Sequence, residues 1–170
     1  PIFCVSIALE YEGNVVLGVV FDPIHRELFT AMQGKGAFLN RKRIRVSSER
    51  KLERSMIATG FAYDVGTAPR NNIGYFGRMV RKAQAVRRPG SAALDACWVA
   101  CGRFDGFWEL SLHPWDTAAA HLILLEAGGK ITKMNGRPYS IYGGDMVASN
   151  GRINTEMLRV LKPGRLKRNL

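Results

Sequence analysis

No stretch of about 18 consecutive apolar residues occurs in the 170-residue sequence, which excludes a membrane-crossing helix. The N-terminus lacks a basic start followed by an apolar run and a small-residue cleavage site, the arrangement of a secretory leader. Cysteine is scarce: Cys4, Cys97 and Cys101 cannot all pair and form no CxxC, which points to a reducing, cytoplasmic setting. Acidic residues are also few, 14 against 25 Lys+Arg, for a net charge of +11. Several chemistries have no motif here: there is no Gly-x-Ser-x-Gly, no Walker loop, no HExxH, and no dinucleotide Gly-x-Gly-x-x-Gly. Gly34-Lys35-Gly36 lacks a third glycine and lies between strands, so it reads as a tight turn, and His25, His113 and His121 have no metal-ligand spacing. An initiating Met is missing too; the chain opens Pro1-Ile2-Phe3-Cys4 inside an apolar strand, which leads to the expectation of a fragment.

What is present argues for a folded domain. Hydrophobic residues make up 46% and charged residues 23%, a balance that excludes intrinsic disorder, and the length suits one compact domain. Phe3, Val5, Ile7 and Leu9 alternate with Cys4, Ser6 and Ala8, the period of a strand with one large-residue face. A turn at Glu12-Gly13-Asn14 leads to a second apolar strand over 15–21, then strands over 27–32 and 37–39, so residues 1–46 read as an antiparallel meander. Beyond it the pattern alternates: strand 55–59, helix 69–83 with Pro69 near its start, strand 85–87, helix 91–101 closed by Gly102, strand 104–110, helix 116–127 closed by Gly128-Gly129, strands 129–133 and 145–149, and helix 152–161. This predicts an α/β fold, a layered α+β sandwich. Its expected parts are an antiparallel sheet region over 1–52, an α/β subdomain over 53–162 and a basic tail over 163–170.

Cys97 and Cys101, four apart on an apolar helix, read as core. Chemistry concentrates in the second half. Asp116 follows Pro114-Trp115 where a helix begins; there it can cap the helix or coordinate a hard cation such as Mg2+. Glu109, seven residues earlier at the end of a strand, can point into the same crevice, and crevices beyond strand ends are where open α/β folds bind ligands. Gly90-Ser91 opens a helix whose free N–H groups suit an anion or a sugar hydroxyl.

These same segments resemble the inositol monophosphatase family. Pro114-Trp115-Asp116-Thr117-Ala118-Ala119 through Glu126-Ala127-Gly128-Gly129 looks like its C-terminal signature, and Gly90-Ser91-Ala92-Ala93-Leu94-Asp95 and Gly102-Arg103-Phe104-Asp105-Gly106-Phe107 resemble the helix and strand before it. Upstream, Gly18-Val19-Val20-Phe21-Asp22-Pro23 and Gly34-Lys35-Gly36-Ala37-Phe38-Leu39-Asn40 match its hairpins. The resemblance covers nearly the whole chain to Leu161 and is nearest to bacterial members. It implies a layered α/β phosphomonoesterase that uses Mg2+, forms a homodimer and is sensitive to lithium. Carried over by position, it makes Asp116 a metal ligand, Glu109 an acceptor for a substrate hydroxyl, and Gly90, Ser91 and Ala92 the loop against the substrate; Arg88 is a weaker candidate.

The family's Asp-Pro-x-Asp-Gly-Thr motif is not found, and Asp22-Pro23 belongs to a later hairpin. No catalytic residue is therefore assigned within the chain. A two-metal hydrolysis needs several carboxylates, so the 170 residues alone are expected to be inactive. The substrate expected is a small phosphate ester, inositol monophosphate or a related sugar phosphate. The alternative is a basic RNA- or transcription-complex-binding protein or a truncated pseudoenzyme scaffold. The clusters Arg41, Lys42, Arg43, Arg45 and Arg78, Arg81, Lys82, Arg87, Arg88 supply the charge for it, but no nucleic-acid motif accompanies them.

Overall fold

The computed structural model describes residues 1–162; the expected basic tail over 163–170 lies outside them. Five antiparallel strands form the first sheet in chain order: β1 (Val5–Tyr11), β2 (Asn14–Asp22), β3 (Glu27–Met32), β4 (Gly36–Leu39) and β5 (Lys42–Arg43). The meander is as expected, with β5 added as a two-residue edge too short to leave a periodic signal. Its first turn uses left-handed backbone at Glu12 and Gly13.

After a 3-10 turn at Leu52–Arg54 come β6 (Met56–Thr59), α1 (Ile73–Val80), β7 (Ala85–Arg87), α2 (Ala92–Ala100), β8 (Gly106–Glu109), α3 (Pro114–Glu126), β9 (Lys130–Thr132), β10 (Met146–Ser149) and α4 (Asn154–Leu161). The second sheet has the order β7-β6-β8-β10-β9, with β6 parallel to β7 and β8, and β10 antiparallel to β8 and β9. The expected helix over 69–83 is corrected to Ile73–Val80. Arg70 is held out of it by an ion pair with Asp145, Asn71 Oδ1 accepts from the Ile73 N–H, and the Gln84 N–H already bonds Ser55 on its way into β7.

The main core lies between the sheets, where α2 and α3 pack together. It contains Phe29, Leu94, Cys97, Phe107, Ile123 and Leu124, all with no exposed surface. The closest approach is at Gly18 on β2: a Cβ there would stand 2.6 Å from the Ala119 carbonyl of α3. On β1, Val5, Ile7, Leu9 and Tyr11 are exposed, Ile7 at 57%, and only Ser6 is partly covered. A second cluster, built on Ile57, Trp108, Ile153 and Met157, lies on the other side of the second sheet under α1 and α4.

Asp105 ties the sheets' connection in place. It accepts from Ser47 Oγ (2.5 Å) and the Met56 N–H (2.8 Å), and Asn150 donates to Ser47 Oγ and the Glu49 carbonyl.

Candidate functional site

A cleft of about 940 Å³ opens where β6, β8, α2 and α3 begin or end and where the residues before β1 pass. Every sequence-predicted site residue lines it: Gly90, Ser91, Ala92, Glu109 and Asp116, together with Arg88. Three local structures bring them together.

The first is the start of α2. Gly90 has φ of 111°, a backbone conformation that favours glycine, and turns the chain into the helix. Ser91 is the N-cap, its Oγ accepting from the Leu94 N–H at 3.5 Å. The N–H groups of Ala92 and Ala93 have no partner among the described residues, so they and the positive end of the helix dipole are free to meet an anion.

The second is the end of β8. Glu109 is the last strand residue, and its carboxylate lies directly over Gly60: a Cβ on Gly60 would come within 2.2–2.3 Å of all three carboxyl atoms. Burial, and then the negative charge of Asp116, push Glu109 up to about 7, while Arg88 pulls it down.

The third is the start of α3. Pro114 occupies the first helical position, where its missing N–H costs nothing, and Asp116 Oδ2 accepts from the His113 N–H at 2.9 Å. Asp116 therefore does cap the helix, through one oxygen; the other has no partner among the described residues. Trp115 is 68% exposed and stacks on His113 with ring centroids 4.5 Å apart.

The arrangement can accept a hydrogen bond from a hydroxyl at Glu109, bind an anion at α2, and offer Asp116 to a cation. As a Mg2+ site the described residues fit in part. Asp116 supplies an oxygen ligand of the right type, but no group of three His, Cys, Asp or Glu among the described residues could hold an ion.

Sequence reading missed four contributors. Gly60 leaves no signal beyond being a glycine, although its lack of a side chain makes room for Glu109. Cys4 reaches the cleft and its Sγ lies 3.5 Å from Ser91 Oγ. Asn72 donates to Thr59 Oγ1 and the Gly60 carbonyl and accepts from Trp108 Nε1, pinning the loop that lines the cleft. Asp95, one turn into α2, is fully buried, with neither carboxyl oxygen bonded among the described residues.

Comparison with known proteins bears on the family and the fold. The model of the inositol monophosphatase family matches residues 1–163. An inositol-1-monophosphatase of Synechocystis is 43% identical over 161 residues, covering 95% of this chain and 56% of that protein. A protein of Haemophilus influenzae named Nus factor SuhB is 40% identical over 163 residues, covering 96% of this chain and 61% of its own length. The solved structure of inositol monophosphatase from Anabaena superposes with a TM-score of 0.92 at 46% identity, covering 95% of this chain and 64% of that one. The chain thus spans 56–64% of the length of these relatives.

Proposed function

The chain belongs to the inositol monophosphatase family, and on that premise we propose that its cleft is the substrate-binding side of a Mg2+-dependent phosphomonoesterase acting on inositol monophosphate or a related sugar phosphate. One observation carries the reading: a half-buried hydroxyl acceptor, Glu109, and the N–H groups of Ala92 and Ala93, unpartnered among the described residues, converge in the same cleft. A phosphorylated polyol presents both complements, hydroxyls for the carboxylate and a dianion for the helix terminus. Ser91 and Gly90 shape the contact, and Arg88 adds positive charge at the mouth. Mg2+, when bound, polarises the phosphoryl group and activates water; Asp116 is the residue here that would ligate it. The family's homodimer, cytoplasmic setting and lithium sensitivity go with the same reading.

Titration calorimetry of the 170-residue chain with myo-inositol 1-phosphate tests it. The expected result is binding that weakens at least about tenfold in Glu109→Gln, the loss of about 1.4 kcal/mol. Unchanged affinity in that variant contradicts the reading. Because the described residues offer Mg2+ so few donors, release of phosphate by the chain alone is expected to be negligible; rapid Mg2+-dependent release would overturn that part.

A second reading has its own support. Relatives carry the name Nus factor SuhB, and Arg41, Lys42, Arg43 and Arg45 form an exposed basic cluster. If this surface binds RNA in a transcription complex, affinity falls steeply between about 50 and 200 mM salt. No RNA binding at low salt removes this reading.

A further inference from the structure

Asp95 has no place in the binding scheme above, and its surroundings call for one. It lies on α2 four residues after the cap Ser91, hence on the same side of the helix. Its exposed surface is 0%, and neither Oδ1 nor Oδ2 has a hydrogen-bond partner among the described residues. Buried polar atoms in native proteins are nearly always bonded, so a carboxyl with two orphaned oxygens needs a physical account.

An ionised carboxylate there would have neither donors nor a counter-charge. The elements packed against α2 are α3, β2, β6, β8 and β10. Their titratable groups are Asp116, His121 and Glu126 on α3, Asp22 on β2 and Glu109 on β8, with none on β6 or β10. The only one that acts on Asp95 is Glu109, and it is negative too.

We propose that Asp95 is a positioning residue for Glu109: its buried carboxyl stays protonated, so that the two acids carry one negative charge between them and Glu109 carries it. The inference rests on the reading of Glu109 as the acceptor for a substrate hydroxyl, and it supplies the condition under which a half-buried Glu109 can be that acceptor. A neutral Asp95 leaves Glu109 free to ionise and to face the cleft; a charged one adds a second buried negative charge beside a phosphate site. Burial first, and then the Glu109 charge, push Asp95 up to about 8, consistent with this order of proton loss. Glu109, only half-buried and facing the cleft where Arg88 also lies, is the better placed of the two to hold the charge.

The test is a carbon-13 carboxyl NMR titration of the 170-residue chain, with Asp95 assigned through bonds. Its midpoint is expected near 8, moving downward in Glu109→Gln. A midpoint in the ordinary aspartate range near about 4, or no response to Glu109→Gln, overturns the proposal. In parallel, affinity for myo-inositol 1-phosphate is expected to fall about tenfold as pH rises from about 7 to 9 in the parent chain and to stay level in Asp95→Asn. Parallel profiles in the two proteins also overturn it. If Asp95→Asn does not fold, the titration in the parent chain and in Glu109→Gln decides alone. If neither protein binds the ligand at any pH, the reading of the cleft fails while the titration still decides the protonation of Asp95.

Discussion

At the scale of single residues, the cleft is held by what is left out as much as by what is present. Gly60 leaves the space that the Glu109 carboxylate fills, so Gly60→Ala must displace that group. The expected outcome is a loss of myo-inositol 1-phosphate binding of about tenfold or more by calorimetry, with a melting temperature close to that of the parent. Asn72 is the opposite case, a residue whose every polar atom is used. Asn72→Ala leaves the buried Trp108 Nε1 without an acceptor and removes one of the hydrogen bonds made by Thr59 Oγ1 and by the Gly60 carbonyl. The orphaned indole N–H costs about 1–3 kcal/mol, measurable as a lower urea midpoint. Asp95 connects local chemistry to stability. An unfolded aspartate loses its proton at 3.8, the folded one at about 8. Between those values the unfolded chain binds fewer protons, so stability falls as pH rises across that window. Asp95→Asn, which cannot ionise, is expected to lose less stability over the same range in urea titrations.

At the scale of elements, the site depends on where helices start and how closely they approach the first sheet. The contact of α3 with β2 is set by Gly18, and Gly18→Val forces a branched side chain against the Ala119 carbonyl. Overpacking of this kind costs about 1–3 kcal/mol, to be read from the urea midpoint. Most of these elements were legible in the sequence because each carried a local signal. Period-two alternation marked the meander, the Gly90-Ser91 and Pro114 junctions marked the starts of α2 and α3, and Gly102 and Gly128 marked their ends. The helix over 69–83 was overdrawn because its apolar spacing continued past residues whose backbone is engaged elsewhere, at Asn71 and at Gln84. Hydrophobic alternation also cannot say which face of β1 turns inward. In the fold the large apolar residues Val5, Ile7, Leu9 and Tyr11 are the exposed ones.

At the scale of the whole molecule, the two halves are joined through a shared core and an ion pair at its edge. Arg103, after α2, forms a two-pronged ion pair with Glu27 on β3 at 2.6 and 2.5 Å, and its hydrogen bonds hold the Glu27 carboxyl below the ordinary glutamate value. A lowered carboxylate contributes stability that is present above its unfolded value and is lost as pH falls through the folded one. Glu27→Gln is therefore expected to flatten the acid side of the stability profile, and an unchanged profile would show that the pair holds nothing. The candidate site was legible as a list of residues, Gly90, Ser91, Ala92, Glu109 and Asp116, because family motifs run along the chain. Asp95 and Gly60 were not, because burial and close approach are properties of the assembled fold. The claim that these residues form one binding cleft for a phosphorylated polyol is tested most directly by mapping backbone amide shifts during titration with myo-inositol 1-phosphate. The account predicts shifts centred on Gly60, Ala92, Ala93 and Glu109, and their loss in Glu109→Gln. Shifts centred instead on the basic cluster Arg41, Lys42, Arg43 and Arg45, or a pattern indifferent to Glu109, would contradict it.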